Sequence, residues 1–247
     1  MVNHLTGRVI WSGKGESAAT LKGFFAQLGA EGRRPIEVVT MDMDAAFEKA
    51  VRESLPQAKI VYDRFHVVQL VNEAVDETRR DEVRGATNKA EAKVLKKTRY
   101  ATLKNPWNLT RREKEKLSEL SKKNRRLYRA YLLKEAFLEV FETRDPEEAD
   151  QIFKEWYGWA RRSRLEHIRR LAQSLRDRWA GIRRYVELTV TNGIVEGFNA
   201  KIRMLSHRAF GFHSAEALIA MIYLCCSGIK IRPMGYGGLD PTSLQLC

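Results

Sequence analysis

The stretch IEVVTMDMDAAFEKAVRESLPQAKIVYD, residues 36–63, decides the fold. Ile36 to Met41 is a short apolar run rich in β-branched residues, the pattern of a buried strand, and it ends at Asp42. The spacing predicts a helix from about Ala45 to Ser54, closed by Pro56. Lys59 to Tyr62 then reads as a second strand, ending at Asp63. Towards the N-terminus, Leu21, Phe24, Phe25 and Leu28 recur at helical spacing and stop at Gly29, a usual place for a C-cap glycine. Arg8 to Ser12 is β-prone. Towards the C-terminus, Val67, Leu70, Val71, Ala74 and Val75 share one helical face between Val67 and Arg80. The order strand, helix, strand, helix, strand, helix describes an α/β layer with parallel pairing.

Residues 81–186 change character. They are rich in Arg, Lys, Glu and Leu, carry few strand signals, and break only at Asn105-Pro106 and Asp145-Pro146, so an all-helical block is expected. Leu117, Leu120, Leu127, Tyr131, Phe137 and Phe141 supply its core, with Ile152, Phe153, Trp156, Trp159, Leu165, Ile168, Leu171 and Leu175. Thr191-Asn192-Gly193 opens a further helix whose buried stripe is Ile194, Val195, Phe198, Ile202 and Leu205. A last apolar helix runs from about Ser214 to Ser227, and a loose tail is expected from residue 232.

Lys and Arg number 44 against 31 Asp and Glu, a formal charge of +13, which points to a polyanionic partner. The excess is regional. Residues 1–70 carry nine basic and eight acidic side chains, residues 93–134 fifteen against three, and Arg161 to Arg184 nine arginines against Glu166 and Asp177. One basic run alone reads as a solvated helix face, but two beside a neutral section favour nucleic acid. Cys225, Cys226 and Cys247 have neither disulfide-framework nor metal-ligand spacing, which fits a reducing, cytoplasmic setting. No signal peptide is evident, and the longest apolar run, Ala217 to Cys226, is too short to span a bilayer.

Three carboxylates stand apart. Asp42 and Asp63 each follow a buried-looking strand, and ligands in α/β sheets bind outside the carboxyl ends of strands. Either could instead cap the next helix, although Asp44 is the better cap for the helix at Ala45. Glu196 lies in a first helical turn, where the helix dipole alone would favour a carboxylate. Asn199 and Arg203, at i+3 and i+7, place an amide and a guanidinium on the same face, and such a face suits a metal-bound phosphodiester. His66 reads equally as a group that orients a carboxylate or touches a phosphate and as a structural histidine.

Val38 to Asp44, Leu55 to Val68 (around Asp63-Arg64-Phe65-His66) and Thr191 to Asn199 (around Glu196) resemble bacterial insertion-sequence transposases of the ISL3 family, and the resemblance covers nearly the whole chain. It implies an RNase H-like fold with a helical insertion and a DDE triad of acidic residues binding two divalent ions, Mg²⁺ or Mn²⁺. Asp42 matches the second triad residue and Glu196 the third, both as catalytic metal ligands. Asp63 and His66 match an Asp-x-x-His motif between them. Met1 to Val9 resembles the turn between the family's second and third strands, so the first strand and its aspartate are expected before residue 1. An incomplete core, inactive by itself, follows. On this reading residues 1–80 begin the core, 81–186 are the basic insertion, 187–231 complete the core and 232–247 form a flexible tail. Asp42 and Glu196 are then expected to meet at one metal pair. The implied partners are double-stranded DNA, as element ends and target, and further copies of the same chain, with no membrane. Arg161, Arg162, Arg164, Arg169 and Arg170 are the expected phosphate contacts. The alternatives are a non-catalytic helical DNA-binding protein and an RNase H-like nuclease without strand transfer.

Overall fold

A computed structural model describes residues 1–15, 17–189 and 193–229. In chain order the elements are β1 (Val2–Asn3), β2 (Arg8–Val9), α1 (Ala18–Arg33), β3 (Val38–Met41), α2 (Ala45–Ser54), β4 (Lys59–Tyr62) and α3 (Arg64–Arg84). There follow α4 (Lys89–Lys96), α5 (Arg99–Leu103), α6 (Arg111–Lys123), α7 (Arg125–Leu138), α8 (Pro146–Arg162), α9 (Glu166–Asp177), α10 (Trp179–Leu188), α11 (Gly193–Arg208) and α12 (Ala215–Cys226). The class is α/β and mostly helical. The chain divides into two compact units, Ser17–Asn192 and Met1–Glu16 with Gly193–Cys247.

In the larger unit β3 and β4 pair in parallel, Val38 opposite Lys59 and Met41 opposite Tyr62. Val39, Met41, Ile60, Val61 and Tyr62 are buried, which is why apolar β-branched residues fill both strands. The Asp44 side chain caps α2 by accepting from the Phe47 N–H at 2.8 Å, and α2 packs against α1. Across β4 lies α10, close enough that Gly181 abuts the buried Tyr62 ring and Arg184 Nη1 donates to the Ile60 carbonyl at 3.2 Å. The helix α3 packs against α4, α7 and α9, and it buries Val67, Val71, Ala74 and Val75. An aromatic cluster joins α7, α8 and α10: Phe137 meets Trp156 at 4.8 Å, Phe153 stacks on Trp179 at 3.9 Å, and Trp156 Nε1 donates to the Leu133 carbonyl at 2.7 Å.

In the smaller unit β1 and β2 form an antiparallel hairpin. The Asn3 side chain accepts from the N–H groups of Leu5 and Thr6, and Gly7 takes a left-handed conformation at φ 60° to close the turn. Val9, Ile222 and Cys226 form its buried cluster, with Phe198 and Ile202 packed against them.

Several expectations are corrected. Gly29, at φ 64° and ψ −177°, breaks α1 without ending it; the helix resumes and runs to Arg33. Strand structure in Arg8 to Ser12 is confined to Arg8–Val9, whose partner is β1 and not a parallel neighbour, so β3 and β4 form the one parallel pair among the described residues. The stripe on α11 is not buried, because the small cluster beneath it covers Phe198 and Ile202 only in part; Ile194 stays 38% exposed. Trp159 is likewise exposed. Thr191, Asn192, Cys247 and the expected tail lie outside the described residues.

Candidate active site

Asp42 follows β3 and Asp63 follows β4, and the parallel register sets them side by side at the carboxyl ends of the pair. The Asp63 N–H donates to the Met41 carbonyl at 3.1 Å, one step beyond the last strand residues. Since Asp44 takes the capping role on α2, Asp42 is left for other use. Asp63 precedes the first turn of α3 but makes no side-chain capping bond there, and it is 5% exposed. One turn into α3, His66 reaches back so that its Nε2 lies 2.8 Å from Asp42 Oδ1. Phe65 packs edge-on against the imidazole at 5.4 Å and is itself exposed.

One ligating atom from each of Asp42, Asp63 and His66 lies within 4.8 Å of the others. A divalent ion with bonds of about 2.1 Å holds neighbouring ligand atoms about 3 Å apart and opposite ones about 4.2 Å apart, so a small contraction would let one ion fit. Oxygen donors suit Mg²⁺ or Mn²⁺, while an imidazole is foreign to a Mg²⁺ site. The histidine therefore fits better as the group that orients Asp42. Partial burial pushes the Asp42 carboxyl above its ordinary range; His66 opposes the shift, and the negative charges of Asp63 and Asp44 add to it. A cation would relieve that repulsion.

Glu196, Asn199 and Arg203 are exposed on α11 in the smaller unit, and Arg203 Nε donates to the Asn199 carbonyl at 3.2 Å. A Cβ at Gly197 would meet nothing within 4 Å, so the helix surface beside Glu196 is open. The five arginines cluster at the junction of α8 and α9, all exposed, with Arg164 in a left-handed conformation at φ 61°. Arg169 and Arg170 pair with Glu166 at 3.8 and 3.4 Å, and Arg161 lies 5.7 Å from the centre of the Tyr157 ring.

The structure adds ionic groups that no motif announced. Buried Asp76 binds Arg79 at 2.7 Å and Arg80 at 2.9 Å, with Arg99 at 3.5 Å. His167 bridges Glu77 and Asp81, each at 2.7 Å. Helical spacing between Asp76, Arg79 and Arg80 was the available signal; burial was not.

A family model described as a transposase, of ISL3 type, matches residues 1–222. The transposase for insertion sequence element IS1557 of Mycobacterium tuberculosis is 36% identical over 250 residues, covering 92% of this chain and 56% of the relative. The transposase for IS1001 of Bordetella parapertussis is 32% identical over 218 residues, covering 87% of this chain and 54% of the relative. The chain thus spans about half the length of these relatives. No solved structure matches.

Proposed function

The chain belongs to the ISL3 family of transposases, and from that premise we propose that it carries the catalytic core for metal-dependent cleavage and transfer of DNA strands, the reaction that moves an insertion sequence. The observation that carries the proposal is the meeting of Asp42, Asp63 and His66 at the carboxyl ends of β3 and β4. In this reading the fold is RNase H-like, residues 81–186 are a helical insertion into it, and Asp42 and Glu196 are the second and third acidic residues of a triad.

Asp42 and Glu196 would hold divalent cations, two in the intact protein. When bound, such ions supply Lewis-acid activation of the attacking oxygen and charge stabilisation of the leaving one. The protein's own residues position and select. His66 fixes the rotamer of Asp42 through their 2.8 Å contact, and Asp63, held at its strand end, raises the local negative charge that attracts a cation. Asn199 and Arg203 offer a neutral and a charged donor to a phosphodiester beside Glu196. The arginines at the α8–α9 junction hold duplex DNA through its phosphates.

Titration of the chain with Mn²⁺ tests the site. Asp42→Asn should weaken binding more than tenfold, and His66→Gln, which removes an orienting group, about tenfold. Absence of metal binding, or equal affinity in all three proteins, would leave the non-catalytic DNA-binding reading in place. Strand transfer is assayed on DNA bearing the element's ends, in this chain and in one carrying the additional length of its relatives. Transfer is expected in the longer protein and lost there with Glu196→Gln. Hydrolysis without transfer in the longer protein would instead identify a nuclease.

A further inference from the structure

The sequence between α4 and the start of α6 combines two features that the proposed chemistry leaves unused. Residues 93–112 hold seven basic side chains and no acidic one. Lys93, Lys96, Lys97, Arg99, Arg111 and Arg112 are exposed. Within the same run lie two exposed aromatics, Tyr100 at 64% and Trp107 at 71%. Trp107 is the most exposed of the tryptophans; Trp156 is buried and Trp179 is stacked on Phe153. The signal is the combination: exposed aromatic faces inside a run of basic side chains pair stacking surface with charge that suits a phosphate backbone.

The ring is also held on a fixed support. Trp107 sits in a 3-10 turn begun by Pro106, in which the Asn108 N–H donates to the Asn105 carbonyl at 2.9 Å. Before the turn, Lys104 is tied by its Nζ to Glu113 at 2.7 Å, and its carbonyl accepts from the buried Lys134 Nζ at 3.1 Å. After the turn, Thr110 and Glu113 cap α6 reciprocally. Tyr100 follows Arg99, which reaches Asp76. Such anchoring lowers the ordering cost of stacking another ring on these faces.

We propose that the exposed rings of Tyr100 and Trp107 stack unpaired DNA bases while the neighbouring lysines and arginines hold the backbone. Positive charge selects a polyanion, and an aromatic face gains most from a base whose own face is free, which a duplex does not offer. The inference rests on the transposase reading in one respect: strand cleavage is what would expose unpaired bases at the element's ends.

The test measures binding of the full chain to a short mixed-sequence single strand, to an abasic strand of equal length, and to a duplex. The single strand should bind at least tenfold more tightly than the abasic strand. Trp107→Ala and Tyr100→Ala should each lower single-strand affinity about tenfold with abasic binding unchanged, and Trp107→Phe should restore most of the loss. Equal affinity for the abasic and ordinary strands overturns the proposal, as does an equal loss for both in Trp107→Ala. If Trp107→Ala abolishes self-association and leaves DNA binding intact, the surface joins copies of the chain and the proposal is wrong. Binding is measured without divalent cations, so failure of the metal chemistry and failure of these aromatic faces are read separately.

Discussion

Asp42 and Asp76 show how one residue type takes opposite roles according to its surroundings. Asp42 is half-exposed, beside two other carboxylates and one imidazole, with its charge incompletely satisfied. Asp76 is 4% exposed and surrounded by three guanidinium groups, so its charge is matched. Removing one partner of a buried pair strands the other, and Arg79 is itself only 8% exposed. Asp76→Asn is therefore expected to destabilise the chain by about 3 kcal/mol, read as a lower midpoint in urea; a change too small to measure would show that the arginines find water instead. Glu113 supplies a pH-dependent counterpart. The Lys104 ammonium, then the Thr110 N–H, hold its carboxyl at about 2, below the ordinary 4.5. A depressed folded-state value means the contribution is complete above about 4.5 and drains away as pH falls towards 2. Glu113→Gln should accordingly be less stable than the parent at neutral pH, with the difference closing by about pH 2. Thermal unfolding of both proteins across that range checks the sign, and a constant difference would refute it.

At the scale of elements, the close seat of α10 on β4 sets a sharp steric condition. A Cβ at Gly181 would fall 2.5 Å from the Tyr62 ring and 3.3 Å from the Ile60 carbonyl, and the ring is fully buried. Alanine ordinarily favours a helix over glycine by about 1 kcal/mol, yet overpacking here should outweigh that gain, and Gly181→Ala is expected to cost about 1–3 kcal/mol in chemical denaturation. A stabilised variant would mean α10 lifts freely from the strand. The same junction shows what the sequence conceals. The bounds of α2 and β4 were legible residue for residue, because Asp44 and Pro56 are local punctuation. The packing of Gly181 on Tyr62 is not written in either local pattern, since it joins positions distant in the chain. Gly29 misled for a related reason: a glycine that usually ends helices can also kink one when both halves pack on a neighbour, as α1 does on α2. In the candidate site, Asp42 and Asp63 could be singled out from their strand-end positions. The contact from His66 to Asp42 depended on the register of two strands, which alternation within either one does not encode.

For the whole molecule, the surplus of 13 positive charges is unevenly placed, and its placement governs DNA affinity more than its total. The exposed arginines at the α8–α9 junction differ in how committed they are. Arg169 and Arg170 are already paired with Glu166, so their transfer to a phosphate releases one partner to gain another. Among the described residues Arg162 and Arg164 have no carboxylate within ion-pair reach, which leaves their full charge for phosphate. Each phosphate neutralised on duplex DNA adds about 0.9 to the downward slope of log affinity against log salt. Five contacts would give a slope of about −4 to −5, and the expected order is that Arg162→Gln and Arg164→Gln each flatten it by nearly one unit while Arg169→Gln and Arg170→Gln flatten it less. Because phosphates carry no sequence, affinity for unrelated duplexes should fall in parallel. Binding titrations over a range of salt decide the matter. A slope near zero in the parent chain, or slopes unchanged in all four variants, would return these arginines to the role of a solvated helix face.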